Sequence, residues 1–303
     1  MAHTLTRRAA LALLSSAPLA ACAAPSTRKS TGPTGSVASS TGPSLDPTGF
    51  ADLEQKHDAR LGVYAVNTAS GVDLAYRADE RFAYCSTLKS LLAGLVLQRA
   101  DLPLDRRLRY RRADLVDYSP VTEKRVRTGL TVRETLDAAL RFSDNTAANL
   151  LFDQLGGPAA VQAGLRAIGD DVTHVDRRET ELNEARPGDI RDTTTPRALA
   201  ASLRAFAVDD ALPADRRALL NDWMARNTTG DALIRAGAPE GWRVEDKTGA
   251  GRYGTRNDVA VLRPPSGAPV VLAVMTRKPD ADAGYDDALV AAAARLVSEA
   301  LTG

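Results

Sequence analysis

Ser86 and Lys89 stand three residues apart in the stretch Cys85-Ser86-Thr87-Leu88-Lys89-Ser90-Leu91-Leu92-Ala93-Gly94-Leu95-Val96-Leu97. Leu88, Leu91, Leu92 and Leu95 recur at the spacing of one helix face. Ala93, Val96 and Leu97 make the other face apolar as well, so the helix reads as buried. Lys89 is the only charge between Tyr84 and Arg99. Burying an ammonium costs on the order of several kcal/mol unless it is paired or loses its proton. No residue of the stretch offsets that cost, which points to a chemical use. The spacing puts the hydroxyl and the ammonium on one helix face. Serine is a weak nucleophile at its free pKa and needs a base. A lysine desolvated by apolar surroundings, its pKa lowered, supplies one. The helix N-terminus also favours negative charge developing near Ser86. The plain alternative is a lysine snorkelling to the surface. A second S-x-x-K, Ser26-Thr27-Arg28-Lys29, opens no apolar helix and carries no such chemistry.

Two further groups belong with this pair. Ser143-Asp144-Asn145 lies between two helical patterns, and Lys247-Thr248-Gly249 ends the first strand after a long helical region. Each has an ordinary reading: Ser-Asp-Asn caps helices well, and a lysine at a strand edge is commonly solvated. Taken together, the three groups would line one cleft from three sides, two from helices and one from a sheet.

The elements that must hold them follow from periodicity. Phe50 to Arg60 reads as a helix, and Leu61–Val66 with Val72–Tyr76 reads as a hairpin around Asn67 to Gly71. Helical patterns dominate from Thr87 to about Arg235. Thr131-Val132-Arg133-Glu134 forms a capping box opening a helix to about Arg141, and Gly156-Gly157-Pro158 stops one helix and starts another. Residues 169–195 are polar and irregular, a length that usually marks a functional loop. Strands return at Trp242–Glu245, Asn257–Leu262 and Val270–Met275, and Asp286–Leu301 closes with a helix. Strands at both chain ends share one sheet if the helical part is an insertion between them. The expectation is an antiparallel sheet with flanking helices (residues 47–80 and 236–303), an all-α lobe (81–235), and a site in the cleft between them.

Composition narrows the chemistry. The 303 residues are 44% hydrophobic, enough for a full-sized core. Lys plus Arg number 39 against 38 Asp plus Glu, so no electrostatic footprint for nucleic acid exists. Only His57 and His174 lie beyond the leader, in no zinc-binding spacing, and neither a metal nor another cofactor is expected. Neither G-x-S-x-G nor a phosphate loop occurs. Residues 1–21 read as an export signal, with Arg7-Arg8 followed by an apolar run too short to span a bilayer. The arginine pair resembles a twin-arginine signal. Leu19-Ala20-Ala21-Cys22 resembles a lipoprotein cleavage box, which would leave Cys22 lipidated; simple cleavage after Ala23 with free secretion is the alternative. Residues 22–46, rich in Ser, Thr, Gly and Pro, read as a tether. Cys85 would then be the one cysteine of the body, so no intrachain disulfide is expected.

The set S-x-x-K, S-D-N and K-T-G names a family. From about Phe50 to the C-terminus the sequence resembles the class A serine β-lactamases, including Val116–Lys124 and Arg191-Asp192-Thr193-Thr194-Thr195-Pro196. The resemblance implies that Ser86 is acylated by the lactam carbonyl, with backbone N–H groups of Ser86 and Ala250 as oxyanion hole. It implies that Ser143 relays a proton to the leaving nitrogen and that Asn145 binds the substrate's side-chain amide. Lys247 and Thr248 of the Lys247-Thr248-Gly249 group, with Arg256, would bind the substrate carboxylate, and Tyr118 would line the mouth. Glu179-Thr180-Glu181-Leu182-Asn183 matches the family's E-x-x-L-N, so Glu179 and Asn183 would hold the hydrolytic water, while Arg177 and Asp192 pin the loop. Thr180 stands where proline is common in the family, a departure that removes neither Glu179 nor Asn183. Whether Lys89 or Glu179 takes the acylation proton stays open.

The expected activity is hydrolysis of penicillins and early cephalosporins by a monomer. Two rivals acylate as well: a cell-wall D,D-peptidase, and a tethered β-lactam-binding sensor that acylates and stops. The complete E-x-x-L-N argues for turnover. Cys85 occupies a position where some carbapenem-hydrolysing relatives form a disulfide, but Ala250 and Gly251 offer it no partner.

Overall fold

The computed structural model describes residues 48–302; the expected leader, Cys22 and the tether lie outside the described residues. The chain opens with α1 (Thr48–His57), β1 (Arg60–Asn67) and β2 (Asp73–Tyr76), the helix and hairpin expected there. A two-residue strand β3 (Phe82–Ala83) and a 3₁₀ turn at Cys85–Thr87 lead into α2 (Leu88–Gln98). Short strands β4 (Arg107–Leu108) and β5 (Leu130–Thr131) pair with each other. Helices α3 (Val132–Arg141), α4 (Asn145–Leu155) and α5 (Pro158–Ala167) follow. Strand β6 (Thr193–Thr194), which pairs with β3, precedes α6 (Pro196–Ala207), α7 (Ala214–Ala225) and the single turn α8 (Ile234–Gly237). Strands β7 (Arg243–Ala250), β8 (Arg256–Arg263) and β9 (Val270–Arg277) and helix α9 (Asp287–Thr302) complete the chain.

The main sheet runs β2-β1-β9-β8-β7, antiparallel throughout. Both chain ends therefore contribute to it, as the insertion argument required. Side chains alternate along β9: Leu272 and Val274 join Phe50, Ile234 and Val297 in one core, while Val271, Ala273 and Met275 join the other. That second core holds the helical part, and α2 runs through its middle with Leu88 to Leu97 all buried. Gly94 permits close packing there, since a Cβ would stand 2.5 Å from the Phe206 ring of α6.

Local signals hold where they were read. The Thr131 hydroxyl accepts from Glu134 N at 3.1 Å and the Glu134 carboxylate accepts from Thr131 N at 2.7 Å, the reciprocal pair of a capping box. Gly156 takes a left-handed φ of 98° and Pro158 begins α5. The strand expected at Trp242–Glu245 is longer. It runs to Ala250 and places Lys247-Thr248-Gly249 inside β7, with Asp246, Lys247 and Thr248 buried. Three buried polar residues hide a strand from a hydrophobicity pattern.

Candidate active site

The turn before α2 aims Ser86 at a cavity of about 350 Å³, whose walls also include Tyr118, Ser143, Asn145, Thr248 and Ala250. Cys85 holds a left-handed φ of 49°, and the Thr87 hydroxyl donates to Tyr84 O at 2.7 Å to close the turn. Strand β7 presses flat against this turn. A Cβ at Gly249 would stand 2.9 Å from Tyr84 O and 3.2 Å from Ser86 N, so glycine is required there.

Lys89 is 2% exposed, so it does not snorkel. Its surroundings are not the apolar ones expected. Nζ donates to Ser86 Oγ at 2.8 Å, to the Ser143 carbonyl at 2.8 Å and to Asn145 Oδ1 at 2.6 Å. It also stands 2.8 Å from Glu179 Oε1. The lysine is buried because it is paired and surrounded by acceptors, the other way to offset desolvation. Among neighbours 54 to 90 positions away in the chain, none is visible in the stretch around Lys89 itself.

Glu179 comes from the irregular loop and is buried. Oε1 accepts from Ser86 Oγ at 3.2 Å, and Oε2 accepts from Asn183 Nδ2 at 2.6 Å. Asn149 of α4 holds its backbone, donating to Glu179 O at 2.8 Å and accepting from Glu179 N at 3.1 Å. The sequence reading missed Asn149. Its one signal is asparagine in a helix interior, where its helix propensity is poor.

Arg177 and Asp192 meet between the two ends of the loop. Arg177 Nε donates to the buried Asp192 at 2.5 Å and its Nη1 to Glu184 at 2.6 Å. Asp192 also accepts from the backbone N–H groups of Asp176 and Arg177 at 3.0 Å and from the Tyr84 hydroxyl at 2.9 Å. Tyr84 lies two residues before Ser86, so the same carboxylate ties the loop to the nucleophile's turn.

Ser143 adopts a left-handed φ of 55°, a conformation costly for a residue with a Cβ. Asp144 holds it by capping α4, accepting from Ala147 N at 2.8 Å, and by accepting from the backbone N–H groups of Val121 and Thr122. The capping reading of Ser-Asp-Asn is met at Asp144, and the same turn brings Ser143 and Asn145 to the cavity wall. Ser143 Oγ then lies between two lysines, 3.1 Å from Lys247 Nζ and 3.4 Å from Lys89 Nζ. Burial and the neighbouring Lys89 push Lys247 down to about 7. Asn145 spends Oδ1 on Lys89 and Nδ2 on the Asp117 carbonyl at 2.9 Å, leaving one N–H for a ligand. Tyr118 is 60% exposed at the cavity's edge.

Thr248 Oγ1 meets Thr229 Oγ1 at 2.6 Å, a partner in the cavity wall that the sequence reading missed. Arg256 reaches the same cavity from β8, directly across from Ala250. Its Nε donates to Asp287 at 2.5 Å and its guanidinium lies 4.7 Å from the Tyr285 ring centre. Cys85 is a free, buried thiol, its pKa pushed up by burial and by Glu179, which makes it unreactive. Gly251 faces it, at a distance where a Cβ would stand 2.7 Å from its sulfur. No group of His, Cys, Asp and Glu suited to a metal occurs among the described residues. A separate cavity of about 220 Å³ beside Asp170, Arg197 and Ser202 contains no part of this cluster.

Known proteins resemble this chain over most of its length. The profile of the β-lactamase enzyme family matches residues 48–301. A β-lactamase of Bacillus licheniformis is 55% identical over 83% of this chain and 82% of its own. One from Amycolatopsis lactamdurans is 56% identical over 83% and 84%. Among solved structures, a class A β-lactamase from Clostridium kluyveri superposes with a TM-score of 0.83 at 46% identity, covering 85% of this chain and 98% of that one. These relatives do not favour the peptidase and sensor rivals. With the fold, the residues at the cleft and these relatives in agreement, the chain belongs to the β-lactamase enzyme family and is a class A serine β-lactamase.

Proposed function

We propose that this cleft opens the lactam ring of penicillins and early cephalosporins in two steps through Ser86. One observation carries the reading: Lys89 Nζ at 2.8 Å and Glu179 Oε1 at 3.2 Å converge on a single hydroxyl, Ser86 Oγ. One of the two takes the hydroxyl proton as the oxygen bonds to the lactam carbonyl carbon. The backbone N–H groups of Ser86 and Ala250 stabilise the oxyanion. The carbon–nitrogen bond then breaks, and Ser143 delivers a proton to the nitrogen, replenished from the lysines beside it. In the second step Glu179 takes a proton from a water whose oxygen bonds to the ester carbon; the bond from that carbon to the Ser86 oxygen then breaks, and the oxygen takes up a proton, restoring the hydroxyl and the Glu179 carboxylate. Asn183 Oδ1 is buried without a partner among the described residues, which supports its use as an acceptor for that water. Lys247, Thr248 and Arg256 bind the substrate carboxylate, Asn145 its side-chain amide, and Tyr118 flanks the entrance. Arg177 and Asp192 keep Glu179 in register.

Steady-state assay with a chromogenic cephalosporin, followed by intact mass, tests the reading. Many turnovers per enzyme with no lasting adduct are expected. One stoichiometric burst with a permanent adduct would contradict it.

We further infer export, with residues 1–21 removed, residues 22–46 acting as a tether, and residues 47–303 forming a monomeric catalytic domain. Lipidation at Cys22 would hold the enzyme on the outer face of the cytoplasmic membrane, although one acyl chain binds only weakly. Fractionation of the native host should find part of the protein with the membrane, and Cys22→Ser should release it. Complete release of the unaltered protein would leave plain secretion.

A further inference from the structure

One aromatic side chain faces the cleft without a part in these steps. Tyr285 is 57% exposed and lines the same cavity as Ser86 and Thr248. A lone exposed ring needs no explanation, but this one is firmly held. Arg256 stacks on it with 4.7 Å between the guanidinium carbon and the ring centre. On its C-terminal side, Asp286 pairs with His57 of α1 at 2.7 Å and accepts from Leu289 N of α9 at 3.2 Å. Asp287 then takes Arg256 Nε at 2.5 Å. The loop ahead of α9 is thus pinned, and its tyrosine is a rigid surface that loses little entropy on contact with a ligand.

We propose that Tyr285 is a specificity-determining residue: its ring packs against the substituent next to the substrate's carboxylate. This rests on the reading that Arg256, Lys247 and Thr248 bind that carboxylate. In a cephalosporin, the ring carbon bearing the carboxylate is bonded to the ring carbon that carries the variable substituent. A ring touching the carboxylate's arginine therefore borders that substituent. In a penicillin the neighbouring carbon carries only two methyl groups. Cephalosporins with a flat, conjugated substituent gain most from an aromatic wall, and penicillins gain little.

The test compares kcat/KM of the wild type, Tyr285→Ala, Tyr285→Phe and Arg256→Ala on three substrates. These are benzylpenicillin, a cephalosporin with a methyl substituent and one with a styryl substituent at that carbon. Tyr285→Ala should lower kcat/KM for the styryl substrate roughly tenfold and the other two by less than about twofold, given the usual worth of an aromatic pair. Tyr285→Phe should behave as the wild type on all three. If Tyr285 only props Arg256, Tyr285→Ala will weaken all three substrates equally, since all carry the carboxylate, and the proposal falls. No change on any substrate also overturns it. Arg256→Ala should weaken all three, chiefly through KM. If it weakens none, the carboxylate assignment fails, and the styryl-to-methyl ratio in Tyr285→Ala still reports separately on the ring.

Discussion

Replacing Lys89 with alanine is expected to slow acylation of Ser86 by about 10²–10⁴-fold, the usual worth of a positioned general base. The expectation holds whichever of Lys89 and Glu179 takes the proton. Lys89 donates to Ser86 Oγ at 2.8 Å and lies 2.8 Å from Glu179 Oε1, so its loss alters both candidate bases together. It also removes the donor that fixes Asn145 Oδ1 and the Ser143 carbonyl. Stability should fall as well. Glu179 would be left as a buried carboxylate without its cation, and breaking a buried pair from one side costs about 3–5 kcal/mol. That is a large share of the roughly 5–15 kcal/mol that holds a domain folded. The measurement is therefore single-turnover acylation well below the variant's melting temperature, with circular dichroism on the same sample. A folded variant that acylates at the wild-type rate would remove Lys89 from the chemistry.

The opening oddity of the sequence, one lysine in an apolar helix, was a sound pointer to the site but a poor guide to its electrostatics. The groups that hold Lys89 lie far along the chain: acceptors on Ser143 and Asn145 and the opposite charge of Glu179. No local pattern reveals them, and apolar surroundings were the natural inference. Features that depend on neighbouring residues were legible: the Thr131–Glu134 capping box, the glycine stop at Gly156, the hairpin of β1 and β2, and the buried α2. Features that depend on distant pairing were not. The apolar pattern alone ends β7 at Glu245, because Asp246, Lys247 and Thr248 are polar, although partners such as Asn227, Arg235 and Thr229 satisfy Asp246 and Thr248. The two-residue pairings of β3 with β6 and β4 with β5 carry no periodicity at all. In the site, Asn149, Thr229, Tyr285 and Asp287 escaped notice for the same reason. Asn149, Thr229 and Asp287 each support another residue through the fold, and none of the four belongs to a motif.

Glu179→Gln should separate the two halves of the reaction. Acylation requires Ser86 and its neighbours, whereas hydrolysis of the ester requires a group that can accept a proton from water. Glutamine keeps the shape of the side chain and an oxygen for Lys89 or Asn183, but it takes up no proton. Its loss as general base should slow deacylation by about 10²–10⁴-fold, or roughly 3–5 kcal/mol on that barrier. The backbone anchors survive, because Asn149 binds main-chain atoms of Glu179 and Arg177–Asp192 closes the loop elsewhere. The loop should therefore keep its course. The rate at which the adduct appears also bears on the acylation base: near the wild-type rate it favours Lys89, and a strong slowing implicates Glu179 in both steps.

The most direct measurement is intact mass spectrometry of Glu179→Gln mixed with benzylpenicillin and sampled over time, with the adduct mapped by peptide digestion. The account predicts one intact penicillin per enzyme, carried on Ser86 and persisting for minutes or longer, while the wild type under the same conditions returns to its free mass. Turnover by the variant at the wild-type rate, with no adduct trapped, would contradict it.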